Sequence, residues 1–405
     1  MFRMNGPLSA LICTALICTA LICTMPGCGS DGPKPLPQSQ RDSLMTAQSL
    51  DDSLDVGRQF LVNIQRPEGN FFYELNLVTG EIKDTDNAVR QAGTLWSVAL
   101  MHQHTPGDDT RTAVERGLAF FDKVSRTTDD GGTYIVYPGR PASATGTVAL
   151  VTLTLIELLH AEPEHPNAAS YRQRVDEQIR FLLSLRQKEG LFSGGFDAKT
   201  GRGTSEPSPF YDGETLLALS KAANYLDRDD LEPILVESAD AMYRAYFVKS
   251  LKDDPKKETA VQFYQWGSMA MLEIYKTGCK GSEQCADRAI EMALWKAGRL
   301  SDTPKYNASH AYEGLASAWE IARLSGNKEA QKTIGEKIES GVPILLTWQV
   351  GGPAPNQFLR DNPPKDKKAI GGVMSGPEDP LLRIDVTQHQ MHALLLVRRY
   401  VLGDE

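Results

Sequence analysis

A chain of 405 residues, 41% hydrophobic and 23% charged, has ample material for a core and the balance of an ordinary globular protein. Its formal net charge of −9 excludes a nucleic-acid binder that works by neutralising phosphates. No long run of like charge marks an interaction tail.

The first thirty residues read as targeting. MFRMNG supplies one basic residue, Arg3, and ALICTALICTALICT follows as a perfect five-residue repeat, too short for a comfortable membrane span. The run ends in Met25-Pro26-Gly27-Cys28. That ending resembles the lipobox of bacterial lipoproteins, in which the Cys becomes the lipidated first residue of the mature chain, although Met25 and Pro26 depart from the usual pattern. The resemblance implies a signal over residues 1–28, export, and attachment to a membrane only through a lipid on Cys28. Gly29 after the Cys points to an outer-membrane anchor in a cell that has one. An ordinary secretory signal is the alternative, and it exports the chain too. Residues 29–48, rich in Gly, Pro, Ser and Gln, are expected to form a flexible tether, and residues 49–405 a single domain.

Cysteine usage agrees with export. Cys13, Cys18 and Cys23 fall inside the signal, leaving Cys279 and Cys285 in the polar segment TGCKGSEQC. In an oxidising compartment they are expected to pair as a disulfide; as a metal site they lack a nearby His.

Along the chain, six amphipathic segments begin near residues 49, 111, 171, 232, 285 and 328. Each carries apolar residues at i, i+3, i+4 and i+7, as in YRQRVDEQIRFLLSLRQ. They alternate with six segments that are apolar nearly all round: RQAGTLWSVALMHQ, ATGTVALVTLTLIELL, YDGETLLALSKAANYL, QWGSMAMLEIYK, YEGLASAWEIARL and QHQMHALLLVRRYV. Gly93, Gly146, Gly213, Gly267 and Gly314 recur in the apolar set, with Gln390 in the sixth. Strict alternation predicts two concentric rings, an all-α (α/α)6 toroid of six helical hairpins. An open solenoid is the rival. Several links into the apolar helices are long and glycine-rich and read as short β-hairpins, for example FFYELNLVTGEI, all over one face.

If the ring closes, six helix N-termini converge on one funnel, each presenting unpaired N–H groups and partial positive charge. The residues expected at its mouth are acids, imidazoles, amides and aromatics. Asp212 and Glu313 are the candidate catalytic carboxylates, with Glu214 as substitute and His389 or Tyr211 to move a proton. Arg90, Trp266, Tyr312, Gln265, Gln388 and His310 are candidate substrate-binding residues. Structural readings stand beside these. Asp212 is expected as a helix N-cap in any case, Glu214 as a first-turn acid, Arg90 as a partner of Asp86, and Trp96 and Trp319 as core. His389 and His392 share a helix face but lack a third ligand in sequence, so neither a metal nor another cofactor is expected.

The organisation of residues 50–402, with phrases such as LLSLRQKEGLFSGGF followed by YDGETLLAL, resembles the six-hairpin toroid superfamily. That group holds glycoside hydrolases, polysaccharide lyases and sugar epimerases, together with prenyltransferase and terpene-cyclase relatives. No Asp-x-Asp-Asp run suits a terpene cyclase, and no Asp, Cys and His set suits a prenyltransferase zinc or a lanthionine cyclase. The resemblance therefore implies an exported carbohydrate-active enzyme working by acid/base chemistry in the funnel, on a sugar or another small anionic ligand, with uronic acids suited to it. The alternative is a non-catalytic envelope lipoprotein whose toroid binds a glycan, a peptide or a protein partner.

Overall fold

The two kinds of apolar pattern become two rings of helices. The computed structural model describes residues 35–83, 85–139, 142–304 and 306–403, so the expected signal and Cys28 lie outside the described residues. The helices are α1 (Gln38–Leu44), α2 (Ala47–Asn63), α3 (Ala88–His104), α4 (Asp108–Lys123), α5 (Thr145–Ala161), α6 (Ala168–Ser184) and α7 (Pro209–Tyr225). α8 (Glu232–Met242) runs through a π-helical stretch, Tyr243–Val248, into α9 (Lys249–Asp253). There follow α10 (Glu258–Thr277), α11 (Ser282–Ala297), α12 (Ser309–Leu324), α13 (Lys328–Leu346), α14 (Gln357–Asp361) and α15 (Ile384–Leu396).

The inner ring is α3, α5, α7, α10, α12 and α15. Each packs on the next, and α15 packs back on α3. That last contact closes the ring and rules out the open solenoid: the fold is an (α/α)6 toroid. Burial follows the sequence pattern. α5 is buried from Thr145 through Leu159, whereas outer α6 buries only Val175, Gln178, Ile179, Phe181 and Leu182.

Short strands lie in the links that lead into the inner helices: β1 (Glu74–Asn76), β2 (Ile82–Lys83), β3 (Ser125–Thr127), β4 (Thr133–Ile135), β5 (Ala142–Ala144), β6 (Gly195–Asp197) and β7 (Leu381–Arg383). β3 pairs with β4, β5 with β6, and β1 lies between β2 and β7. In that sheet Leu75 stands opposite Leu382 in antiparallel register. The first long link is thereby tied to the last, a second lock on ring closure at the face where the inner helices begin.

Two expectations change. Within the stretch expected to be a tether, residues 38–44 form α1, whose Leu44 is buried and which packs on α13. An apolar anchor in an otherwise polar segment is enough to dock it, and the compact unit starts at Pro35 rather than at residue 49. Cys279 and Cys285 are buried free thiols, not a disulfide. Cys285 turns inward from α11, where burial pushes its thiol up to about 12. The loop is closed instead by the Ser282 N–H donating to the Cys279 carbonyl at 3.0 Å, with Gly281 at φ 97° turning the chain into α11.

Candidate functional site

Inside the ring, at the face where α3, α7, α12 and α15 begin, lies a cavity of about 340 Å³. Arg90 and Gly93 line it from α3, Tyr211 and Glu214 from α7, Gln265 and Trp266 from α10, His310 from α12, and Asp385, Gln388 and His389 from α15. On α3, α7 and α15, spacings of three and four residues put these groups on one face of the helix. Eight of the eleven expected catalytic or substrate-binding residues therefore meet in one place. Asp212, Glu313 and Tyr312 do not line the cavity.

Asp212 is neither an N-cap nor a cavity wall. Ser208 precedes the helix as its N-cap residue, and Asp212 is the fourth residue of α7, fully buried. One carboxylate oxygen accepts the backbone N–H of Phe192 at 3.1 Å, and the other accepts the Tyr246 hydroxyl at 2.5 Å. The fold repeats this arrangement. Gln91 and Thr387, each the fourth residue of its inner helix, accept the backbone N–H groups of Phe71 and Val373 at 2.7 and 3.0 Å. Asp212 is thus a clamp that holds the preceding link over its helix. Burial raises its pKa to about 7, although both hydrogen bonds oppose the rise.

Two residues on, Glu214 faces the cavity wall while being only 3% exposed, and its Oε2 has no hydrogen-bond partner. Burial alone pushes its pKa well above the usual carboxylate range, toward the neutral form. Gly146 of α5 makes this possible: a Cβ there would collide with the Glu214 carboxyl and the Tyr211 ring. At Gly93, Gly146, Gly213 and Gly314 the recurring glycine is a place of close approach between inner helices, whereas at Gly267 the near neighbour is Phe263 of the same helix. Tyr211, beside Glu214, is pushed up to about 12 by burial and by that neighbour.

Glu313 sits one helical turn below His310, fully buried. His389 Nδ1 lies 3.1 Å from its Oε2, and His392 Nδ1 lies 3.0 Å from its Oε1. Burial alone would raise Glu313, but the two imidazoles outweigh it and hold the carboxylate below its ordinary range. Reciprocally, His389 is raised: burial opposes the charge, and Glu313 more than offsets it. With Nδ1 committed to Glu313, Nε2 is the nitrogen left for chemistry in the cavity. His392 is fixed from behind by the buried Trp96 ring, edge-on at 4.5 Å between centroids, which confirms Trp96 as core. His310 is shifted the other way, down to about 4, first by burial and then by the nearby charges of His389 and Lys296. The two imidazole rings are 6.4 Å apart. The two adjacent histidines are thus pushed in opposite directions, His310 away from the charged form and His389 toward it.

Arg90 pairs with Asp385, its Nε 3.1 Å from Oδ2, and also donates to the Tyr73 hydroxyl. Its expected partner Asp86 instead accepts from Tyr137 and Gln91 at 2.6 and 2.7 Å. Asp385 takes Arg383 as well, at 3.0 and 2.5 Å. Tyr312 points outward, its hydroxyl against Gly341 of α13, and belongs to the core between the rings.

Sequence reasoning missed Phe210, 40% exposed and lining the cavity, and Asn307, which lines it from an irregular link at φ 37°. It also missed Tyr246 as the partner of Asp212. A phenol on an outer helix 34 residues away leaves no local signal.

No family model and no curated protein matches this sequence. Solved structures do. A D-mannose isomerase superposes with a TM-score of 0.61 at 13% identity, over 89% of this chain and 99% of the other. Cellobiose 2-epimerase from Bacillus thermoamylovorans B4167 gives 0.61 at 9% identity, over 87% and 99%. An unsaturated glucuronyl hydrolase specific for heparin gives 0.59 at 11%, over 88% and 100%. At such identities the likeness is one of fold, and the fold this chain shares with these carbohydrate-active enzymes is the (α/α)6 toroid.

Proposed function

We propose that the cavity is the active site of a carbohydrate-active enzyme that moves a proton at the carbon beside a sugar carbonyl, the chemistry of an isomerase or epimerase. The observation that carries this is the pair His310 and His389, adjacent on the cavity wall and shifted in opposite directions. Neutral His310 takes the C–H proton, and the electron pair moves onto the carbonyl oxygen as an enediol forms. Charged His389, held by Glu313, supplies the balancing proton to that oxygen. Return of a proton to the opposite face of the same carbon gives an epimer, and return to the neighbouring carbon gives an isomer. No oxidant is consumed.

The remaining residues hold the sugar. Trp266 offers a flat ring to its C–H face, and Gln265 and Gln388 offer amides to hydroxyls. Neutral Glu214 donates a hydrogen bond. Because Arg90 already spends Nε on Asp385, the site favours a neutral sugar over a uronic acid. Names of structural neighbours, an isomerase and an epimerase among them, support the reading by analogy of fold.

A second reading, glycoside cleavage, rests on Glu214 as a buried, protonated acid. It needs a second carboxylate facing the bond, and Asp385, the other acid in the lining, is engaged by two arginines. Incubation with mannose, glucose or cellobiose in D2O separates the two. Deuterium at the carbon next to the carbonyl, seen by NMR, is the expected result. New reducing ends without deuterium would replace it with hydrolysis, and neither would leave a glycan-binding protein. Export and a lipid on Cys28 are part of the same proposal, tested by the mass of the mature N-terminal peptide.

A further inference from the structure

Beside the cavity lies a side pocket of about 150 Å³, lined by Ile135, Tyr137, Ser143 and Thr147. Asn87, Val89 and Tyr211 line both spaces, so the two share a wall. We propose that this pocket is a second subsite for one neutral, hydroxyl-rich ring, so that the substrate is a disaccharide or longer rather than a free monosaccharide. The proposal rests on the reading of the cavity as a sugar site.

Three observations carry it. First, the Ser143 and Thr147 hydroxyls have no hydrogen-bond partner although the residues are only 7% and 2% exposed. Buried hydroxyls are normally satisfied, and an unsatisfied pair on residues that line one space calls for a partner that brings its own donors and acceptors. Second, the rest of the wall is apolar or aromatic. Val89 and Ile135 face it, and the ring of Tyr137 is fixed because its hydroxyl donates to Asp86 at 2.6 Å. Aromatic faces with a few placed hydroxyls match the alternating C–H and O–H surface of a sugar. Third, among the described residues no charged side chain lines the pocket, which favours a neutral ring over a uronate or a phosphate. A cavity on the order of 150 Å³ holds a six-membered ring.

The substitution Thr147→Val keeps the shape and removes one hydroxyl. Since that hydroxyl has no partner among the described residues, folding does not depend on it, and the melting temperature is expected to be unchanged or slightly higher. The measurement is calorimetric titration of the full chain with D-glucose and cellobiose, and with D-mannose and mannobiose. The wild type should bind one of the disaccharides roughly tenfold more tightly than its monosaccharide. In Thr147→Val, and independently in Ser143→Ala, that advantage should shrink roughly three- to tenfold, the worth of one neutral hydrogen bond. A protein that binds monosaccharide but gains nothing from a second ring overturns the subsite alone. So does an advantage that survives both substitutions, because a buried water would then satisfy the hydroxyls. An advantage lost in both variants, in a protein that exchanges no deuterium, keeps the subsite and overturns the proton-transfer reading. Binding of neither kind of sugar overturns both.

Discussion

His389 and His392, one turn apart on α15, both direct Nδ1 to the single buried carboxylate of Glu313, at 3.1 and 3.0 Å. One carboxylate thus sets the orientation of two rings, of which His389 lines the cavity. On the proposed reading, Glu313, expected from sequence as a catalytic acid, acts as a positioning residue.

Replacing Glu313 by Gln removes the charge that holds the His389 pKa up. Turnover is expected to fall by about 10²-fold or more, within the range for loss of an oriented acid or base, with KM little changed. Because the charged form of His389 is the active one, activity is lost as pH rises through its pKa, and in Glu313→Gln that loss should begin at lower pH. A pH–rate profile that drops uniformly without moving would refute this role.

His310 gives the other limb. Held near 4 by burial and neighbouring charge, it stays neutral and basic down to mildly acidic pH. Activity should fall only as pH approaches about 4. His310→Gln should abolish deuterium incorporation while the sugar still binds. Exchange at the wild-type rate in that variant would assign the base elsewhere.

Asp212 makes a stability prediction. Its pKa is about 7 when folded, against 3.8 for an aspartate in water. The folded state therefore holds the proton more tightly. Its contribution to stability is fully present below about pH 4 and is lost as pH rises toward 7, by a few kcal/mol. Asp212→Asn keeps an acceptor for the Phe192 N–H and cannot ionise. Its melting temperature should lack the decline between pH 4 and 7 that the wild type shows relative to it, and it should retain turnover. Loss of catalysis in a folded Asp212→Asn protein would restore the acid to the reaction.

At Gly146, alanine would normally favour a helix by about 1 kcal/mol. Here its Cβ meets the Glu214 carboxyl and Tyr211, so Gly146→Ala should destabilise by about 1–3 kcal/mol. Shortening the acid in Gly146→Ala/Glu214→Ser should recover much of that loss. Additive melting-temperature shifts in this double-mutant cycle would show that the two side chains do not compete for the same space.

Cys279 and Cys285 should both take an alkylating label when the unfolded protein is treated without reductant, and peptide mass mapping reads this directly. Two unlabelled, linked peptides would reinstate the disulfide.

The amino-acid sequence by itself determined the twelve alternating helices, because the 3.6-residue apolar period of α6 and the all-round apolarity of α5 are local properties. It also determined which ends gather the polar residues, and this is why Arg90, Tyr211, Gln265, Trp266, His310, Gln388 and His389 were legible as one site. Only the tertiary structure decided between Asp212 and Glu214. Two residues apart, they leave α7 on nearly opposite sides. Which side faces the cavity depends on where α10 and the Phe192 link pack. The Tyr246 hydroxyl and the Phe192 N–H claim Asp212, while the missing Cβ of Gly146 admits Glu214. In the same way, Glu313 lies one turn too deep to line the cavity, and its role comes from His389 and His392 on a helix more than seventy residues later. Period and composition fix the rings, while partners far apart in the chain fix what each carboxylate does, since a buried acid takes its function from the groups that reach it.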